Sequence, residues 1–364
     1  MPRSAFGRDA ATIAQKRVPV NRFSGWIRNC RQRRGHLCAL PGEKCSLQAR
    51  NYPYKVSTSG KGRLERAIRR VARLSDLMAA ISFACQKSHT VRAIVNILEE
   101  SRCMELLDAD LDWPHWLERW EAMQNCYVPR RLYRFDLMLT LPHLPREAEV
   151  QILDLGCGPG SLSFFALHHY RNARIVAVDF DPVLLAMGQQ VAEGTTDRIQ
   201  FLLADLREAE WWTVYEETFD LVLSATALHW LNAAHFEQTL RCIYRALKGG
   251  GWFMNSDHAA SDDSETQARY NAMLEQKRAA AFRATKADRW DGFWQELGRE
   301  LSQAGLPALR NEVESWEGNE DGHPRQFQMT TLEECGFEQV DVYWQEQGEA
   351  VIGGRKPLGM RCVR

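Results

Sequence analysis

Residues 152–163 read ILDLGCGPGSLS, and no other stretch of the chain constrains its fold as strongly. A short apolar run, Ile152, Leu153 and Leu155, ends in a turn carrying Gly156, Gly158 and Gly160; residues 162–169 then have helical character. Glycine accepts positive φ and, lacking Cβ, lets a ligand lie directly on the backbone. The helix behind such a turn aims its unsatisfied N–H groups and positive dipole end at the same spot. A strand, a glycine turn and a helix in this order open the site of a nucleotide-like cofactor.

Spacing narrows the choice of cofactor. A dinucleotide fingerprint would place a glycine or alanine where Ser161 stands. Here the third glycine comes one residue early, as Gly156-Cys157-Gly158-Pro159-Gly160, a compact turn that suits a methionine tail better than a pyrophosphate. A second apolar run, residues 175–178, ends at Asp179, where a carboxylate can accept both hydroxyls of a ribose. A third, residues 199–203, leads into Ala204-Asp205-Leu206, where a carboxylate and a backbone N–H can read an adenine edge. A fourth, residues 220–225, runs through Ala225 into Leu228-His229-Trp230. The fifth, Trp252-Phe253-Met254, follows a Lys248-Gly249-Gly250-Gly251 turn.

That ordered set of landmarks resembles the class I S-adenosylmethionine-dependent methyltransferases over about residues 104–364. The tail is similar to the family's as well, with Cys335-Gly336-Phe337 at a helix end ahead of a β-hairpin at about 338–354. The resemblance implies an α/β, Rossmann-like fold: an open, mostly parallel seven-stranded sheet with helices on both faces. The hairpin's last strand inserts antiparallel, and a helical cap insert spans about 257–330. It also implies S-adenosyl-L-methionine as cofactor, beyond the carboxyl ends of the strands near the switch in strand order. Around it would stand Asp154, Gly156, Cys157, Gly158, Gly160, Asp179, Phe180, Asp205, Leu206 and Ala225. Asp179 is the expected ribose acceptor, and Phe180 either stacks on the adenine or packs in the core. Asp154 either reaches the methionine ammonium through water or holds the loop. Asp181-Pro182 reads as a helix cap and first turn, and Arg207 and Glu208 read as surface charges.

Methyl transfer needs alignment, exclusion of water and, for some acceptors, a base. His229 is the candidate base, since it follows the fourth strand; the alternative is that His229 and Trp230 shape the pocket. In the segment 127–135, Arg131 or Arg134 is placed to cover the methionine carboxylate as a fork, or else to form a solvated basic face. The insert holds His258, Trp290, Phe293, Trp294, Trp316 and His323, which suits an apolar substrate pocket including His258. No Asn/Asp-Pro-Pro-Tyr and no Pro-Cys follows the fourth strand, which argues against amino-group methylation of adenine or glutamine and against a covalent cytosine adduct. The expected acceptor is a small molecule, methylated on O, N or C. The rival is an RNA or protein methyltransferase recruited by a basic amino-terminal segment.

The charge balance prompts that rival. Residues 1–75 hold 18 Lys/Arg against 3 Asp/Glu, leaving 28 basic and 44 acidic residues downstream. Residues 1–103 therefore read as a basic extension: a targeting peptide, a nucleic-acid arm, or a stretch preceding a native start at Met104. Within it Leu64, Ile68, Val71, Leu74, Met78 and Ile81 recur at helical spacing over 62–83. Cys30, His36, Cys38 and Cys45 lack the close pairing of a zinc site, so no metal is expected. The 10 scattered cysteines read as reduced thiols, and no apolar run is long enough to span a bilayer, so the expected location is cytoplasmic.

Overall fold

Five apolar runs separated by helices make a parallel sheet, because each helical crossover returns the chain to the same end of the sheet, where the next strand begins. The computed structural model describes residues 106, 107, 109–208, 212–306 and 317–358. The readings of the basic extension, its helix over 62–83, its cysteines and Trp316 lie outside those residues.

The strands are β1 (Gln151–Leu155), β2 (Arg174–Asp179), β3 (Ile199–Leu203), β4 (Phe219–Ala225) and β5 (Leu247–Ala260), then β6 (His323–Pro324), β7 (Glu338–Glu346) and β8 (Glu349–Arg355). They form a sheet in the order β3-β2-β1-β4-β5-β8-β7, with the two-residue β6 pairing β5 off that path. The first five run parallel; β8 is antiparallel to both β5 and β7. The strand order reverses between β1 and β4, so a crevice opens beyond their carboxyl ends. This is the doubly wound, mostly parallel architecture that the sequence implies.

Both faces are covered, which is why the central strands are apolar at consecutive positions. Ile152, Ile175, Ala177, Leu221 and Met254 face one core cluster; Leu153, Val178, Val222 and Phe253 face the other. The first face carries α1 (Trp113–Tyr127), α2 (Arg131–Thr140), α3 (Ser161–His169) and α4 (Pro182–Glu193). The second carries α5 (Ala233–Ala246). The Asp181 side chain accepts from the N–H groups of Val183 and Leu184, so Asp181-Pro182 is the cap and first turn expected.

Two boundaries differ from the sequence reading. The strand expected at 252–254 runs from Leu247 to Ala260, with the glycine turn as an irregularity inside it: β4 pairs it at Leu247 and again from Trp252. Beyond Met254 the residues are polar, so apolarity alone stops the strand there. Pairing with β8, from Trp252↔Arg355 to His258↔Glu349, carries it on. The insert is correspondingly shorter than 257–330. Its helices are α6 (Ser264–Thr285) and α7 (Trp290–Gln303), while the following α8 (Arg325–Glu334) packs back on the sheet through Leu332. Phe293 and Trp294 of α7 pack edge-on against Trp120 of α1, at 5.6 and 6.2 Å between ring centres. Among the described residues, no helix is long and apolar enough to cross a membrane.

Candidate functional site

The glycine turn is fixed by what approaches it. Gly156 has φ +64°, and a Cβ there would lie 2.2 Å from that of Ala227, in the loop after β4. Only glycine lets these two strand ends come together. Behind the turn, the Gly158 N–H donates to Asp179 Oδ2 at 2.7 Å, and the Asp181 N–H donates to Oδ1 at 2.9 Å. Asp179 is thereby tied to the turn with each carboxylate oxygen still holding further acceptor capacity. Burial pushes its pKa up, while the backbone donors hold it back. Cys157 is buried, its N–H bonded to the Val178 carbonyl and its thiol pushed up by burial, so it stays protonated.

Asp154 lies beneath the turn, accepting from the Ser163 hydroxyl at 2.6 Å. Burial, with Asp179 nearby, pushes its carboxyl up to about 7. A carboxyl raised on folding contributes stability that is complete below its ordinary pKa and is lost as pH rises toward the folded value. Stability should therefore fall between about pH 4 and pH 7 through this group. Asp154→Asn should flatten that part of the profile, as read from thermal midpoints across the range.

The arginines upstream are not a solvated face. Arg131 is 7% exposed and pairs with Glu121, Nη1 to Oε2 at 2.6 Å, while the Ser161 hydroxyl donates to the same carboxylate. Arg134 is wholly buried. Phe180 is partly exposed at the end of β2. Asp205 is gripped through Nε and Nη2 by Arg207, a partly exposed charge. Burial opposes ionisation of Asp205, but those bonds hold its carboxyl below the usual range. Leu206, beside it, accepts through its carbonyl from Thr239 at 3.3 Å.

A second group of polar side chains gathers beyond β4, β5 and the start of β8. Ala225, at the end of β4, pairs with Ser256, and a 3-10 turn, Leu228–Trp230, follows. His229 in that turn is 4% exposed; its Nδ1 lies 2.7 Å from Asp257 Oδ1, and its N–H donates to Oδ2 at 3.0 Å. The His258 N–H also donates to Asp257, at 2.9 Å. His258 Nδ1 is 2.8 Å from Glu349, which pairs with Arg134 at 2.5 Å. Arg134 Nε in turn donates to the Ser256 hydroxyl at 2.7 Å. The rings of His229 and His258 meet edge to face at 4.7 Å, and Trp230 lies 4.3 Å from His229. The side-chain nitrogens and oxygens of His229, Asp257 and His258 lie within 4.8 Å of one another.

The fold thus brings the glycine turn, Asp154, Asp179, Asp205, Ala225, His229, Trp230 and His258 to one end of the sheet. Sequence reasoning missed Asp257, Glu349 and Glu121. Asp257 stands beside a histidine already singled out, and Glu349 lies in the expected hairpin. These two had a signal, but only if the fifth strand is carried past its apolar residues; Glu121, on α1, had none.

Residues 152–251 match the family model described as a methyltransferase domain. Among curated proteins, the chain is 25% identical over 154 residues to a malonyl-[acyl-carrier protein] O-methyltransferase of Bacillus cytotoxicus, covering 42% of this chain and 51% of that one. It is 36% identical over 98 residues to a trans-aconitate 2-methyltransferase of Streptomyces avermitilis, covering 26% and 35%. The chain thus spans about half, or less, of the length of these relatives. Among solved structures it is similar to the S-adenosylmethionine-dependent methyltransferase SibL, at 19% identity over 63% of this chain and 55% of that one, with a TM-score of 0.41. Through residues 152–251, the chain matches a methyltransferase domain, carried on a doubly wound, mostly parallel sheet.

Proposed function

We propose that the chain transfers a methyl group from S-adenosyl-L-methionine to an O, N or C atom of a small-molecule acceptor, residues 104–364 forming the working domain. The observation that carries this reading is the bond from the Gly158 N–H to Asp179 at 2.7 Å, which fixes a ribose-type acceptor against a glycine turn at the switch in strand order. The donor set suits the cofactor. Backbone N–H groups at the start of α3 meet its methionine end, and Asp179 accepts the ribose hydroxyls. Asp205 and Leu206 stand where an adenine edge would lie, with Phe180 at the rim. Ala225 and Gly156 bring the β4 loop against the turn. Arg131 acts through Glu121 and Ser161, holding the first turn of α3 in place. Bound there, the cofactor supplies an electrophilic carbon on a sulfonium.

The two curated relatives named above act, by their names, on malonyl-[acyl-carrier protein] and trans-aconitate, which supports a metabolite-like acceptor. Calorimetric titration with S-adenosylmethionine and S-adenosylhomocysteine tests the reading. Both should bind saturably, and Asp179→Ala should weaken them at least tenfold, since each charge-assisted hydrogen bond is worth about 1.5–3 kcal/mol. Wild-type affinity in the variant would remove Asp179 from the site, and no binding to folded wild type would remove the function.

A further inference from the structure

The polar end of β5 has an order that packing alone does not demand. Asp257 is 3% exposed and receives three N–H donors: two from His229, ring and backbone, and the backbone N–H of His258. Against the cost of burial, His229, His258 and these donors hold its carboxyl well below the usual range, so it is ionised and can only accept. An imidazole facing an acceptor through Nδ1 must carry its proton there. The neutral ring of His229 is therefore the tautomer whose Nε2 lone pair is bare. Among the described residues, no group bonds to that Nε2.

The surroundings keep the ring ready. The groups facing it are Asp257, His258 with Glu349 and Arg134 behind it, and His323 from β6. Burial lowers His258's affinity for a proton, but Glu349 and Asp257 raise it above its ordinary value. His323 is pushed down by burial and stays neutral. The His258 ring meets that of His229 edge to face at 4.7 Å. The His229 backbone is clamped at both ends, since its carbonyl accepts from the Asn319 N–H at 3.1 Å. Arg131, Arg134 and Arg207, at the same end of the sheet, are each committed to a carboxylate.

We propose that Asp257 positions His229 as the proton acceptor of the reaction, and that the methyl acceptor is a neutral hydroxyl or N–H acid rather than a carboxylate. This rests on the methyl-transfer reading above. A carboxylate is ionised at neutral pH and asks nothing of a base; a hydroxyl or neutral N–H group must lose a proton as its lone pair attacks. In the step, the acceptor's heteroatom bonds to the methyl carbon and the carbon–sulfur bond breaks, its electron pair remaining on sulfur. The acceptor's proton passes to His229 Nε2, and water then takes it. Asp257 stabilises the imidazolium that forms, without accepting the proton itself. Two carboxylate–imidazole couples thus stand side by side, His258 with Glu349 and His229 with Asp257, and the second is the one that moves a proton.

The test uses the full chain. Nitrogen-15 NMR of histidine-labelled protein, assigned with His229→Gln, should show His229 protonated at Nδ1 and bare at Nε2. Asp257→Asn should shift that tautomer, because an amide can donate to Nδ1. Acceptor panels of phenols, alcohols and dicarboxylic acids are then run with S-adenosylmethionine. Hydroxyl acceptors should be used, with a rate that rises with pH along one sigmoid and is lost in His229→Gln. Asp257→Asn should lower kcat about 10²–10⁴-fold, with calorimetric S-adenosylmethionine affinity within about twofold of wild type. A wild-type ring protonated at Nε2, a preference for dicarboxylates, or activity abolished by chelation and restored by zinc or manganese would each overturn the proposal. All of these are read on protein that binds S-adenosylmethionine; failure of that binding would instead remove the underlying reading.

Discussion

Glu349→Leu is expected to cost about 3–5 kcal/mol of folding stability, because it strands a wholly buried guanidinium. Arg134 is 0% exposed, and once its 2.5 Å partner is gone, the Ser256 hydroxyl and the Trp344 ring face, 5.4 Å away, are no substitute for a counter-ion. An arginine cannot shed its charge to relieve this. Arg134→Met should cost roughly half as much, since Glu349 keeps His258 as a counter-ion at 2.8 Å. The double variant Arg134→Met/Glu349→Leu should recover to within about 2 kcal/mol of wild type, because apolar groups of similar volume replace a buried pair well. Urea midpoints at unchanged slope read all three. Additive losses in the double variant would show that the pair is not coupled.

The pH dependence has a definite sign. Burial would raise the Glu349 carboxyl, but Arg134 and His258 hold it at about 2. A carboxyl depressed on folding contributes stability above its ordinary pKa and loses it as pH falls toward the folded value. The gap between wild type and Glu349→Leu should be full at pH 5–6 and shrink below about pH 4.5. His258, raised on folding, contributes below its ordinary pKa and loses that contribution as pH rises through its folded value. The same gap should therefore narrow again on the alkaline side.

Gly318→Ala should cripple turnover while leaving the cofactor side nearly intact. A Cβ at Gly318 would lie 1.9 Å from the His229 carbonyl oxygen and 2.7 Å from the Trp230 Cα, both of them backbone atoms that cannot rotate away. The 3-10 turn or the segment lying over it must shift. Overpacking of this kind costs about 1–3 kcal/mol, and a displacement near 1 Å at a reacting group costs about 10²-fold in kcat. Gly298 in α7 is the internal control, since a Cβ there meets nothing within 4 Å. Gly298→Ala should stabilise by about 0.5–1 kcal/mol through helix propensity, with unchanged kcat. Equal kcat in the two variants would show that His229 tolerates displacement.

What was legible in the chain follows the range of the interactions involved. The glycine turn, the acids that end β2 and β3, and the cap at Asp181 are local features, written within a few residues and found where expected. The polar groups beyond β5 were hidden because their partners are remote: Asp257 is 28 residues from His229, and Glu349 is 215 residues from Arg134. A run such as Asn255-Ser256-Asp257-His258 has no apolar alternation to announce a strand. Pairing with β4 as far as Ser256, and with β8 through His258, makes it one. Arg134 sat within a segment that composition shows as a basic helix face. Nothing local distinguishes a solvated guanidinium from one that crosses the sheet end to a distant carboxylate.

That same 215-residue separation gives order to the protein's synthesis. A ribosome releases α2 long before β8 exists, so for most of translation the Arg134 guanidinium has no carboxylate to enter the interior with. It therefore stays hydrated until the final hairpin emerges. Closing so long a loop is slow, since its entropy must be met before the contact rewards it. The Rossmann-like half can assemble early on the nascent chain, whereas the end of the sheet that holds His229, Asp257 and His258 is completed only when the last strand threads between β5 and β7. A nascent chain stalled before residue 349 would present the glycine-turn half of the sheet without the completed end that holds His229, Asp257 and His258.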